Sequence, residues 1–155
     1  MKNVPIQALE KYLLSIFKGC GLTDENAEIA TDVVIRATMR GAGHHDIYML
    51  EQHVRPLLEG KIVANPEFLP IAAYYAIESW DAGNGLGEVC CTFGMNKAME
   101  LADKFGVGVC ALRNTNHFLA ASPYVERAAE KGYIAVMLAK GDVNLGAPGM
   151  AGNCM

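Results

Sequence analysis

No run of about eighteen apolar residues occurs in this chain, so no helix is expected to span a membrane. The start, Met1-Lys2-Asn3-Val4-Pro5, lacks the basic region and long apolar stretch of a signal peptide, and none is expected there. Basic runs are also missing. Lys and Arg number 13 against 17 Asp and Glu, giving a formal net charge of -4, so neither nucleic acid nor an anionic membrane is expected as a partner. There is no CxxC pair, and the 5 cysteines (Cys20, Cys90, Cys91, Cys110 and Cys154) are odd in number. Three of them lie in apolar stretches, where a thiol behaves as a small hydrophobe. A disulfide framework is therefore not expected, and a reducing cytoplasm fits better. Internal repeats and low-complexity segments are lacking as well.

Apolar material is plentiful. Hydrophobic residues make up 52% of the 155 residues and charged ones 19%, which suits one packed domain with a small helical arm. Ile6, Leu9, Leu13, Ile16 and Phe17 recur at helical spacing from Pro5 to Lys18, and Gly19-Cys20-Gly21 stops that helix. Thr23 is placed as an N-cap, with Asp24 and Glu25 in the first turn where the helix dipole favours them. Ala27, Ala30, Val33, Val34 and Ala37 form the buried stripe of this second helix. After Gly41-Ala42-Gly43 a third helix is expected over about 44–59, ended by Gly60.

The character changes beyond Gly60. Ile71 to Trp80 reads as a strand, and Asp81 to Gly87 as a glycine-dense turn. A helix is expected from Glu88 to Phe105, a short strand from Val107 to Leu112, a helix over about 121–131, and a strand from Tyr133 to Ala139. Short apolar strands separated by helices imply an α/β fold with a largely parallel sheet covered on both faces. Strand 107–112, helix 121–131 and strand 133–139 are expected to form one βαβ unit. The chain thus divides into a helical arm with a substrate-site helix (1–62) and an α/β region (63–155).

Two polar constellations carry chemistry. Asn114-Thr115-Asn116-His117-Phe118 follows a buried strand and precedes a helix, the place where open α/β sheets bind ligands. A histidine there titrates near neutrality and can donate or accept a proton. Its flanking asparagines can fix its tautomer or hold substrate oxygens. The bland alternative is a surface loop that caps the next helix. The second constellation is His44-His45-Asp46-Ile47-Tyr48-Met49, continuing to His53. On one helix, His45, Met49 and His53 share a face. A histidine-rich metal site is one alternative, but the spacing is not HExxH and no cysteine pair lies near, so no metal is expected. Gly83-Asn84-Gly85-Leu86-Gly87 matches no phosphate-binding motif in full and reads as a tight turn. The glycine and alanine positions of Gly141 to Gly152, with Pro148, read as a flexible loop.

These segments, in order, resemble the malate/L-lactate dehydrogenase family of the type-2 fold, which is distinct from the Rossmann lactate and malate dehydrogenases. Arg40-Gly41-Ala42-Gly43-His44-His45-Asp46-Ile47-Tyr48-Met49-Leu50 is similar to the family's R-G-V-x-S-H-G-x-x-R-L. Trp80 to Gly87 is similar to V-D-G-x-x-G-L-G. Leu112-Arg113-Asn114-Thr115-Asn116-His117-Phe118-Leu119 is similar to V-R-N-S-x-H-F-G, and Ala128 to Ile134 to A-A-E-x-G-x-I.

The resemblance implies hydride transfer between NAD or NADP and a 2-keto or 2-hydroxy acid, in a cytoplasmic homodimer. It implies His117 as the proton donor and acceptor at the substrate carbonyl, with His45 beside it as the second catalytic residue. His44, Met49, His53, Asn114 and Asn116 are expected at the substrate, and His117, Phe118, Lys140 and Gly141 at the cofactor. The departures are His44 for serine, Asp46 and Leu119 for glycine, Met49 for the carboxylate-gripping arginine, and Ala139-Lys140 for a Thr-Asn pair. A thioether cannot replace a bidentate guanidinium. Lys140, Arg55 or His44 supplies the missing charge, or the substrate lacks that carboxylate. Members of the family continue well past the position of Met155, so the resemblance implies an N-terminal portion with an open sheet edge and an uncovered apolar face. The alternative is a catalytically inactive remnant or interaction module that keeps the fold.

Overall fold

The computed structural model describes residues 3–141. The expected loop of Gly141 to Gly152 therefore lies, beyond its first residue, outside the described residues, as does Cys154. Helix α1 (Ile6–Gly19) buries Leu13 and Phe17, and α2 (Asp24–Met39) buries Ala27, Ala30, Val33, Val34 and Ala37, as the apolar spacing requires. Thr23 caps α2, its hydroxyl accepting the Asn26 N–H at 3.3 Å. Asp24, in the first turn, pairs with Lys18 at 2.8 Å.

The expected third helix is broken into three pieces: 3-10 turns at Gly43–His45 and Ile47–Met49, then α3 (Leu50–Leu58). Asp46 makes the break. Its backbone leaves the helical region, at φ -137 and ψ -148, while its buried side chain accepts the Tyr48 N–H at 3.0 Å. A local side-chain acceptor of this kind competes with the helical ladder and restarts it instead.

The expected strand 71–80 is a hairpin. β1 (Leu69–Tyr74) turns at Tyr75, which takes φ 49, and returns antiparallel as β2 (Ile77–Gly85). The glycine-dense segment is thus mostly the end of a strand, kinked where Gly83 and Asn84 both take φ 57. Helix α4 (Gly87–Phe105) crosses to β3 (Val109–Thr115), which pairs parallel to β2 in a three-stranded sheet of order β1-β2-β3. Helix α5 (Ser122–Glu130) follows. The architecture is mixed α/β.

Two expectations about the sheet are corrected. The parallel crossover is β2–α4–β3, and segment 133–139 joins no strand among the described residues. A strand exists only through a neighbour that satisfies its backbone N–H and C=O groups. The segment still alternates like one: Ile134, Val136 and Leu138 point outward, while Met137 packs against the core. Nor is the sheet covered on both faces. Helix α4 packs on one side, where Phe93 meets Trp80 and Gly94 faces Leu112. Leu69, Ile71, Tyr74, Ile77 and Val109 remain exposed, which is the uncovered apolar surface expected from the resemblance. The core lies where α1, α2, α4 and α5 meet, around Leu13, Phe17, Val33, Leu86, Val89 and Tyr124. Arg36 joins α2 to α5 through Glu130 at 2.7 Å.

Candidate active site

The loop after β3 carries His117, and three features hold that loop. Asn116 donates its amide to the Gly85 carbonyl at 2.9 Å and to Asn84 at 3.1 Å, fastening the loop to the end of β2. Asp81 accepts from Arg113 at 2.9 Å, from Asn114 at 2.8 Å and from the Gly83 N–H at 2.9 Å. The Gly83 N–H and the Asn114 amide hold the Asp81 carboxyl below its ordinary range. Tyr124, buried on α5, donates its hydroxyl to the Phe118 carbonyl at 2.7 Å. The side-chain amide nitrogens of Asn114 and Asn116 therefore both bond to the scaffold.

Four histidines converge at this point. The His45 ring stacks on that of His117 at 5.4 Å and 8°, and His44 lies 4.1 Å from His45. His53, buried on α3, meets the His117 ring edge-on, its Nε2 3.3 Å from His117 Nδ1. His45 and His53 thus reach the same imidazole without sharing a helix. Behind His53 lies Glu88, fully buried in the first turn of α4, with Oε1 2.8 Å from His53 Nδ1. This contact lies within ion-pair distance but off the direction of the ring N–H. The N-terminal turn of a helix favours a carboxylate electrostatically.

The Leu119 backbone N–H donates to His117 Nδ1 at 3.1 Å. That nitrogen must therefore be unprotonated, so the neutral ring carries its proton on Nε2. Desolvation, then the neighbouring His53 and His45, push the His117 imidazole below the ordinary histidine range, against an opposing pull from Glu88. The turn that delivers the Leu119 N–H puts this buried leucine at φ 63, in the left-handed region.

The remaining expected positions fall at varied depths. Met49 is half-buried and packs against the core, His44 is exposed, and Lys140 and Gly141 are exposed at the end of the extended segment. Phe118 stacks beside His117 at 6.1 Å. The glycines of the 83–87 segment meet protein, not open space. A Cβ on Gly85 would stand 2.5 Å from Pro66, and one on Gly87 2.0 Å from the His117 carbonyl oxygen. They allow close internal packing and offer no phosphate cradle. Among the described residues no group of three or more His, Cys, Asp or Glu is arranged to hold a metal ion, and no helix is long and apolar enough to cross a membrane. Sequence reasoning missed Glu88, and it marked Leu119 only as a departure from glycine. A glutamate opening a helix is ordinary, and only the tertiary contact with His53 gives it meaning.

The mixed α/β scaffold thus aims one imidazole, backed by others, from a strand-to-helix loop. The malate/L-lactate dehydrogenase family matches residues 4–154, and the chain belongs to that family. It is 32% identical over 134 residues to a 2,3-diketo-L-gulonate reductase of Pasteurella multocida, a match covering 86% of this chain and 40% of that protein. It is 38% identical over 115 residues to a reductase of the same name from Haemophilus influenzae, covering 74% of this chain and 35% of that protein. The fold superposes on malate dehydrogenase from Pyrococcus horikoshii with a TM-score of 0.81 and 28% identity, over 84% of this chain and 38% of the other. Sulfolactate dehydrogenase from Methanocaldococcus jannaschii gives 0.78 and 31% identity, over 83% and 37%. The chain thus spans about two fifths of the length of the relatives it matches.

Proposed function

We propose that this chain carries the acid–base side of an NAD(P)-dependent oxidoreductase site acting on a 2-keto or 2-hydroxy acid, with His117 as the proton donor and acceptor. The observation that supports this reading most directly is the occupation of His117 Nδ1 by the Leu119 N–H, which leaves Nε2 as the proton-bearing nitrogen of an exposed ring, with no hydrogen-bond partner among the described residues. His45, stacked on that ring, is the second catalytic residue of the reading. His44, Met49, His53, Asn114 and Asn116 make up its substrate side. For His53 the contact runs through the His117 ring above it.

When bound, the nicotinamide supplies or receives the hydride. His117, Phe118, Lys140 and Gly141 are the residues of this chain assigned to face it, and an exposed lysine cation fits a diphosphate. His117 delivers a proton to the carbonyl oxygen as charge develops there, and takes it back in the reverse direction. With Met49 packed against the core, carboxylate recognition falls to His44, Arg55 or Lys140. The reading includes a cytoplasmic homodimer, for which the exposed apolar residues of the sheet provide a contact surface.

The test is steady-state oxidation of NADH and NADPH against a panel of 2-keto acids, with the chain alone and with the rest of the family fold supplied as a second polypeptide. Turnover in the second arm is expected. Absence of both turnover and cofactor binding in calorimetry from that arm overturns the reading.

A further inference from the structure

We propose that His53 and Glu88 are positioning residues that store one proton behind His117 and hand it forward as His117 gives up its own. The proposal rests on the reading of His117 as the acid–base group. Its geometric basis is a continuous line of contacts from a fully buried carboxyl to the surface imidazole: Glu88 Oε1 to His53 Nδ1 at 2.8 Å, then His53 Nε2 to His117 Nδ1 at 3.3 Å.

Hydrogen-bond logic sets the proton positions. The Leu119 N–H already points at the single in-plane lone pair of His117 Nδ1. His53 Nε2 faces the same atom at 3.3 Å and is assigned the role of a second donor sharing that lone pair, since two facing lone pairs repel. His53 therefore carries its proton on Nε2. A second proton rests on His53 or on Glu88, which approach at 2.8 Å, within ion-pair distance but off the line of the ring N–H. Both arrangements hold one proton more than a neutral imidazole beside a carboxylate. Glu88 is 0% exposed and His53 3%, and an uncompensated charge there is costly.

The transfer balances. As the Nε2 proton of His117 passes to the substrate oxygen, the Nε2 proton of His53 moves to His117 Nδ1. His117 stays neutral with its proton now on Nδ1, and His53 is left neutral with its proton on Nδ1 against the Glu88 carboxylate. One proton leaves the buried pair, one reaches the substrate, and none comes from solvent. Oxidation reverses each step. The Leu119 N–H bond is lost in the discharged state, so the charged state is the resting one. The titratable groups facing His117 are His44 and His45 from the first 3-10 turn, His53 from α3 and Glu88 from α4.

Ring-nitrogen NMR of the histidine-labelled chain tests this. At neutral pH the wild-type protein should show His117 protonated on Nε2 and bare on Nδ1, with His53 protonated on Nε2. His53→Leu should raise the His117 titration midpoint, by removing a donor from the nitrogen that must accept the proton. His53→Gln keeps an amide donor and should preserve the His117 tautomer. A wild-type His117 protonated on Nδ1, or a bare His53 Nε2, overturns the proposal without any variant having to fold. In the turnover assay His53→Gln should lower kcat. An unaltered rate in His117→Ala would remove the acid–base reading itself, whereas wrong proton positions with an intact His117→Ala defect would remove only the relay.

Discussion

Gly87 lies so close to the loop above it that a Cβ there would stand 2.0 Å from the His117 carbonyl oxygen and 2.6 Å from that of Asn116. The first turn of α4 and the His117 loop are therefore packed backbone to backbone. The same contact brings Glu88, the next residue, beneath His53. Gly87→Ala must push the loop away, at a cost of about 1–3 kcal/mol typical of overpacking. Urea unfolding should show the lower midpoint, and the His117 ring resonances should shift. Wild-type stability in that variant would contradict the packing.

His117→Ala should reduce the chemical step by about 10²–10⁴-fold, the usual size for a positioned general acid. Single-turnover measurements in the reconstituted assay separate this from a binding defect.

The lowered His117 pKa also makes stability depend on pH. In the window between its folded value and the ordinary histidine value near about 6.5, the unfolded chain binds more protons at this site than the folded one. The site's contribution is therefore complete above that window and is lost as pH falls through it. Thermal melts from neutral to mildly acidic pH should show a declining midpoint, with a shallower decline in His117→Ala. Parallel curves would assign the pH dependence elsewhere.

Leu119 sets left-handed backbone strain against side-chain burial. Glycine would relieve about 1–2 kcal/mol of left-handed strain but give up about 1.5–3 kcal/mol of leucine burial. On that balance Leu119→Gly should fall between about 0.5 kcal/mol stabilising and about 2 kcal/mol destabilising. Its Nδ1 hydrogen bond should survive, since glycine keeps the N–H and reaches the same φ freely. Denaturant titration gives the first quantity and His117 tautomer NMR the second.

Restoring a guanidinium by Met49→Arg tests the missing carboxylate contact. The variant should lower KM for a 2-keto acid in the reconstituted assay, and it should lower stability because Met49 packs against the core. An unchanged KM would place carboxylate recognition elsewhere.

The sequence by itself determined the elements whose signals are local. The apolar stripes of α1 and α2, the Thr23 cap, the extent of α4 and α5, and the place of His117 after a strand all follow from spacing and end residues. Its four ordered motifs also determined the family. Tertiary structure decided what depends on neighbours distant in the chain. Segment 133–139 has the alternation of a strand, but backbone groups need a partner strand, and none pairs with it among the described residues. Asp46 broke a helix whose periodicity favoured it, because its side chain offered the backbone a competing bond. Above all, His45, His53 and Glu88 became neighbours of one imidazole only through packing of the first 3-10 turn, α3 and α4 around the His117 loop.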